Sequence, residues 1–389
     1  MKVLEKLKKN EIKNYIAQYS KVYIYGAGAE AKRKYHFLKG LDIKIDGFVV
    51  TAKGNNSESY ENIPIRLFDT VIKESSGLYI VGVSDVYKEE ILKVLNNSGV
   101  KNILDISSGI EIWKKNISLP KLEITAQIGC KIQCKYCPQE LFYSSYFKES
   151  KQRQWRMSYE EYKLCVEHMP SNTIICFAGF VEPFFHPQGV EMIQYAYKMG
   201  HPVELFTTFM GLTKEQFDII KHIPFHQVVL HTPDKLNYAN IQIDETYRKI
   251  LDEVLDMTKE DGTSFIDSAN CQSEPSEEFL KLAKNRIVVE STLVDRAGNL
   301  EDDALKKSEF KKGKIICNRT KDLNHWVLLP DGTVVLCCMD FGLKHPLGNL
   351  LTDNYDDIIA KKEYQSIISA MSDEKVDIIC RKCTSSKEV

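Results

Sequence analysis

No run of the chain is apolar for the roughly 20 residues that a membrane-spanning helix needs. A helical membrane protein is thereby excluded as the expected class. Net charge is almost lacking: 52 Lys and Arg stand against 54 Asp and Glu, leaving −2. Neither nucleic acid nor a membrane surface is expected as the main partner. Internal repeats and low-complexity tracts are missing too. The first residues, MKVLEKLKKNEIKNYI, read as an amphipathic helix. They lack the apolar core and small-residue cleavage site of a signal peptide, so a cytoplasmic protein is expected.

What is present is a core-forming composition, 43% hydrophobic and 27% charged over 389 residues, enough for two or three domains. Eleven cysteines in a cytosolic chain favour metal ligation over disulfides. Three of them, Cys130, Cys134 and Cys137, sit in EITAQIGCKIQCKYCP with C-x3-C-x2-C spacing. Three thiolates on one loop can hold three corners of a cubane [4Fe–4S] cluster and leave one iron open to a further ligand. A structural zinc loop is the plain alternative, but no Cys or His just beyond Cys137 closes a fourth position.

Strand and helix patterns alternate over 21–105, which predicts a parallel, doubly wound sheet. Strands are expected at Lys21–Tyr25, Ile43–Val50, Tyr79–Val83 and Asn102–Ile106, with a helix over Val86–Asn96. Gly26 and Gly28 open a G-x-G-x-x-A turn where a phosphate can approach a helix N-terminus. Asp46 is the candidate ribose-binding acid, and a tight βα turn is the competing reading of the glycines. Ser107–Pro120 reads as a linker.

From Lys121 to about Thr292 the alternation resumes. Strands are placed at Leu122–Thr125, Ile174–Ala178, Pro202–Thr207, Gln227–His231, Ser264–Asp267 and Ile287–Ser291. Ligand sites on such sheets lie at the carboxyl ends of strands, and Cys130 follows the first. A last segment carries Cys317, a C-x14-G-x4-C spacing to Cys337, a hairpin turn at Pro330-Asp331-Gly332-Thr333, and a Cys380-Arg381-Lys382-Cys383 pair. Four thiolates in this pattern suit a cluster or tetrahedral zinc.

The C-x3-C-x2-C loop resembles the radical S-adenosylmethionine (SAM) superfamily, and the last segment resembles the SPASM/twitch extension. The resemblance covers about 120–389. It implies a partial (β/α)6 barrel, two [4Fe–4S] clusters and SAM, with a 5′-deoxyadenosyl radical abstracting hydrogen from a substrate. The expected organisation is a Rossmann-like domain at 1–112, the barrel at 113–300 and a small α+β twitch-like domain at 301–389. Cys130, Cys134 and Cys137 would hold the first cluster. Cys317, Cys337, Cys380 and Cys383 would hold the auxiliary one, in the shorter twitch form.

Tyr136 matches the aromatic residue near the adenine. Phe177-Ala178-Gly179-Phe180-Val181-Glu182-Pro183 is similar to the G-x-G-E-P segment, although Val181 replaces a glycine. Gly179 would let the aminopropyl group approach, and Glu182 would accept from its ammonium. Thr208 stands where the family has an amide, and His231 is a candidate for the ribose. Arg296, in an Arg-Ala-Gly turn, could hold a phosphate or carboxylate of the substrate.

The implied activity is that of a radical SAM oxidoreductase acting on an alcohol carbon of a sugar-like or nucleotide-sugar substrate. Cell-surface glycan or secondary-metabolite biosynthesis is the expected setting, with flavodoxin or ferredoxin as electron donor. A maturase of a ribosomally made peptide, a redox-neutral sugar epimerase or dehydratase, and a non-enzymatic Fe–S binding protein stand as alternatives.

Overall fold

The computed structural model describes residues 2–4, 13, 15–39, 43–106 and 119–389, less 55, 57, 73–76, 84, 149–152, 260–262, 285, 292, 301, 303–304 and 306–308. Most of the expected linker, 107–118, lies outside the described residues. Met1–Lys114 with Asp261–Thr263 form one compact unit, and Lys115–Glu260 with Ser264–Val389 form another.

The first unit holds β1 (Lys2–Leu4), β2 (Val22–Tyr25), α1 (Ala29–Lys39), β3 (Gly47–Val50), β4 (Ser59–Tyr60), β5 (Ile63–Leu67), α2 (Phe68–Val71), β6 (Leu78–Val81), α3 (Asp85–Asn97) and β7 (Ile103–Ile106). Strand order is β1-β7-β6-β2-β3-β5-β4, parallel throughout except for the β4–β5 pair. The order reverses at β2, which makes the sheet doubly wound. Strand periodicity explains why β2 is apolar at every position. Val22 and Ile24 enter one core, while Tyr23 and Tyr25 enter the core on the other face. The amphipathic helix expected at the N-terminus is corrected at Lys2–Leu4, which pairs with β7 as an edge strand.

The second unit is built on β8 (Lys121–Ile124), α4 (Gln139–Tyr146), α5 (Tyr159–Glu167), β9 (Ile174–Phe177), α6 (Gly189–Lys198), β10 (Val203–Thr207), α7 (Lys214–Ile220), β11 (Gln227–His231), α8 (Glu245–Asp256), β12 (Ser268–Cys271), α9 (Glu277–Ala283) and β13 (Val289–Ser291). These six strands lie side by side in chain order, all parallel. Ser158 and Thr213 start α5 and α7 with reciprocal capping boxes. The fifth strand stands at Ser268–Cys271, four residues later than the sequence pattern implied. Phe265 and Ile266 are buried in the lead-in, and their apolarity mimicked a strand.

There follow β14 (Ile315–Cys317), β15 (His325–Leu328), β16 (Thr333–Val335), β17 (Pro346–Asn349), α10 (Tyr355–Ala360), α11 (Lys362–Ala370) and β18 (Ser386–Glu388). β15 pairs parallel with β8, so the C-terminal strands continue the same sheet, in the order β13-β12-β11-β10-β9-β8-β15-β16-β17. The sheet is open. Its β15–β16 hairpin turns at Gly332, whose φ of 81° suits glycine.

Candidate cluster and cofactor site

The loop after β8 carries the first cysteine set at the carboxyl edge of the parallel strands. Gly129 and Gln133 take positive φ, 88° and 52°, and wind it tightly. It is stitched to the loop after β11. Lys135 N donates to Tyr238 O at 2.7 Å, Asn240 Nδ2 to Ile132 O at 3.1 Å, and Cys134 Sγ to Ala239 O at 3.6 Å. Asp234 organises that second loop by accepting from Leu236 N, Tyr238 N, Ala239 N and Ser273 Oγ at 2.6–3.2 Å. Gln139 Nε2 donates to Cys137 Sγ at 3.3 Å and to Phe180 O at 2.6 Å.

Burial pushes the Cys130 and Cys137 thiols up, and it takes Cys134 to about 12, with the two neighbouring cysteines adding to the rise. Thiols must deprotonate to ligate, so cluster assembly here releases protons. Tyr136 is buried, its ring edge-on to Tyr238 at 5.4 Å and its N–H donating to Gln272 Oε1 at 3.2 Å.

Glu182 follows β9. Its carboxylate accepts from Thr207 Oγ1 at 2.5 Å and from Thr208 N and Oγ1, both at 2.7 Å. Burial raises it from 4.5 to about 7, against the pull of those donors. Thr208 is therefore a holder of Glu182, which accounts for a hydroxyl where the family carries an amide. Gly179 has φ 72°, and a Cβ there would collide with Thr125 Oγ1, which accepts from Phe180 N at 2.9 Å. The chain itself needs glycine at 179, whatever else approaches.

His231 Nδ1 lies 2.6 Å from Asn270 Oδ1 on the neighbouring strand, and burial lowers its basicity. Arg296 begins three successive residues of positive φ: 53°, 56° at Ala297 and 79° at Gly298. Its guanidinium lies 5.9 Å from the Phe341 ring centroid, and its Nε is buried with no hydrogen-bond partner. The Arg296 charge works against the rise of the Cys134, Cys137 and Cys338 thiols and adds to the fall at His231.

The second cysteine set converges although its members are far apart in sequence. Cys317, Cys337, Cys380 and Cys383 all line one small cavity of about 40 Å³, with Glu123, Arg319 and His325 among the other walls. Burial pushes Cys337 well above the ordinary thiol range and Cys380 to about 12. Cys338 does not line the cavity. Its Sγ accepts from Arg319 Nη1 at 3.1 Å, and it packs against the same apolar cluster as Cys137. Arg381 is fully buried and anchors the C-terminal pair by donating to Lys311 O, Gly313 O and Ala370 O at 2.8–3.0 Å.

Among the described residues, no group of three or more His, Cys, Asp or Glu closes to metal-holding geometry. The donor chemistry fits a cluster in each set: three thiols on one loop, and four thiols around one cavity.

In the first unit, Gly26 has φ 120°, and a Cβ there would strike the Gly82 carbonyl oxygen. Gly28 is ordinary in conformation, and a Cβ there would meet nothing within 4 Å. Asp46 stands before the start of β3, at the amino end of the sheet. It accepts from Val22 N at 3.0 Å and Lys21 Nζ at 2.9 Å. It is thus at the opposite strand end from Gly26, and the ribose-acid reading of Asp46 is corrected.

Asp234, Tyr238, Gln272, Glu123 and Arg319 carry no local sign in the sequence, because each reaches the site through a distant strand or loop.

Residues 317–384 match the SPASM family, an iron–sulfur cluster-binding domain. The matched segment contains all four cysteines of the second set. The C-terminal segment is similar to a SPASM-type domain. The match favours iron–sulfur over structural zinc at this end, and a SPASM-type domain after a C-x3-C-x2-C loop agrees with the radical SAM resemblance. No curated protein matches the chain.

Several solved structures are similar at low identity. BtrN in complex with AdoMet and 2-DOIA is 15% identical with TM-score 0.45, over 70% of this chain and 94% of that one. Streptococcus suis SuiB bound to precursor peptide SuiA is 13% identical with TM-score 0.40, over 77% and 82%. anSMEcpe with bound AdoMet is 15% identical with TM-score 0.42, over 69% and 83%. No helix among the described residues is long and apolar enough to cross a membrane.

Proposed function

We propose that the protein is a radical SAM oxidoreductase that oxidises an alcohol carbon of a sugar-like substrate. The observation that carries this reading is the pairing of two thiol sets in one unit. A three-cysteine loop lies at the carboxyl ends of parallel strands beside Glu182, and a four-cysteine cavity lies under a SPASM-type match. When bound, the first cluster and SAM supply a 5′-deoxyadenosyl radical able to take hydrogen from an unactivated carbon.

The chain's residues do the rest. Cys130, Cys134 and Cys137 would hold three irons of the first cluster and leave the fourth for SAM. Glu182, fixed by Thr207 and Thr208, accepts from the SAM ammonium. Tyr136, set by Tyr238 and Gln272, flanks the adenine, and His231, oriented by Asn270, faces the ribose. The Nε of Arg296, buried without a partner, suits an anionic group of the substrate. In the first unit the Gly26 turn suits a phosphate at the α1 N-terminus, and flavodoxin or ferredoxin supplies the electron. A fully ligated second cluster on Cys317, Cys337, Cys380 and Cys383 leaves no iron for substrate, which suits it to electron transfer.

The test is anaerobic reconstitution followed by turnover with a carbon-deuterated panel of sugars and nucleotide sugars. Deuterium should appear in 5′-deoxyadenosine with one SAM consumed per oxidised product. Deuterium arriving only from a peptide, or SAM regenerated with an epimerised sugar, would replace this reaction with a maturase or an epimerase.

A further inference from the structure

One charged pair in the second unit, a buried Glu123 with a part-exposed Arg319, takes no part in the reading above. Glu123 lies on β8, and Arg319 follows β14. Arg319 Nη2 stands 3.7 Å from Glu123 Oε1, while Nη1 donates to Cys338 Sγ at 3.1 Å. Both side chains line the cavity that also holds Cys317, Cys337, Cys380 and Cys383. The neighbouring charges are already engaged: Lys121 Nζ donates to Glu204 Oε2 at 2.6 Å, and His226 Nδ1 lies 3.2 Å from Glu204 Oε1.

A charged pair is an expensive wall for a cavity. Glu123 is buried, and an apolar residue of similar volume fills such a place at equal or lower cost, so stability alone does not explain the carboxylate there. The single 3.7 Å approach is not a bidentate fork, and the guanidinium is not consumed by Glu123. What the pair does offer is fixed charge of both signs beside four thiols. A one-electron reduction adds one negative charge to a thiolate-bound cluster, and nearby charge and hydrogen bonds are what set its potential.

We propose that the Glu123–Arg319 pair sets the potential at which the auxiliary cluster takes up its electron. The inference rests on the reading of the four cysteines as cluster ligands. Arg319 favours the reduced form, and Glu123 opposes it. Removing one or the other shifts the potential in opposite directions, a sign pattern that general damage to the cavity does not produce. Cys338 and Glu123 fix the guanidinium at the cavity wall, which makes Arg319 a positioning residue for the field rather than a ligand.

The test uses the full chain in a Cys130→Ala, Cys134→Ala, Cys137→Ala background, so that only the auxiliary cluster is read. Its midpoint is measured by potentiometric titration with dithionite, followed by electron paramagnetic resonance. Arg319→Gln should lower the reduced-to-oxidised ratio at fixed potential about tenfold, a shift of about 59 mV to lower potential. Glu123→Gln should raise it by a similar factor, and Arg319→Lys should recover part of the Arg319→Gln loss. Midpoints that stay put in both variants, or move the same way, overturn the proposal. Should Arg319→Gln fail to assemble the cluster, Glu123→Gln decides alone by the direction of its shift. A background protein that binds zinc or no metal overturns the cluster reading itself and the inference with it.

Discussion

The two large sheets are built by the same rule and finished differently. Both are runs of buried parallel strands with helices between them, and both have glycine turns at the carboxyl ends. In the first, Gly26 lies close against Gly82, Gly28 is open, and the acid expected nearby is at the other strand end. In the second, the same strand ends carry thiols, a buried carboxylate and the hydroxyls that hold it. A parallel sheet provides a place for chemistry. Whether chemistry is installed depends on the few residues just past each strand.

The largest expected effect breaks the comparison outright. Cys137→Ala should remove the first cluster, reducing iron from about eight to about four per chain, with SAM cleavage lost. Iron analysis with SAM-cleavage assays would show it, and retained cleavage would remove this loop from the chemistry. Nearly as large is the contrast between adjacent thiols. Cys337→Ala should lose the auxiliary cluster, while Cys338→Ala, which faces Arg319 and not the cavity, should keep it. The opposite outcome would put Cys338 among the ligands.

Glu182 sharpens the comparison through pH. Its folded value is raised from 4.5 to about 7, so the folded protein holds a proton that the unfolded chain releases between those values. Apo-protein stability from this group is therefore fully present below about pH 4.5. It is lost as pH rises through the window toward 7, by about 3 kcal/mol in all. Glu182→Gln should flatten that slope in denaturant titrations between pH 5 and 8. SAM affinity should run the other way, because an ammonium needs the carboxylate. It should rise up to about tenfold per pH unit below 7, and a flat equilibrium-dialysis profile would separate Glu182 from the ammonium.

The smallest effects test the first sheet. Gly26→Ala should destabilise its unit by about 1–3 kcal/mol, from positive φ and collision with Gly82. Gly28→Ala should leave the melt unchanged within about 0.5 kcal/mol while weakening any nucleotide-sugar affinity measured by calorimetry on the whole protein. No affinity in either protein would leave the turn purely structural.

Much of this was legible in the chain. The cysteine loop and five of the six parallel strands follow from spacing and alternation, and the set of four distant cysteines from the SPASM/twitch resemblance. The fifth strand was not, because Ser268–Cys271 has polar side chains on its working face. Asn270 meets His231, while the apolar Phe265 and Ile266 belong to the approach. Asp46 misled because Ile43–Val50 looks like one strand, yet only Gly47–Val50 is paired, which puts the acid at the wrong end. Thr207 and Thr208 on Glu182, and Arg319 beside Glu123, depend on strand neighbours. Neighbour order is a property of the sheet and leaves no local periodicity to read.

The parallel pairing of β15 with β8 has a consequence for how the chain is made. Until residue 325 emerges from the ribosome, β8 is the exposed edge of a growing sheet. An unpaired edge of this kind is a template for wrong partners, and it stays open while roughly 200 residues are added at the pace of translation, on the order of ten seconds or more. The SPASM-type segment then acts as a late-arriving cover for the strand that precedes the first cysteine loop. A nascent chain stalled before β15 should depend on chaperones for solubility, and one released after β16 should not.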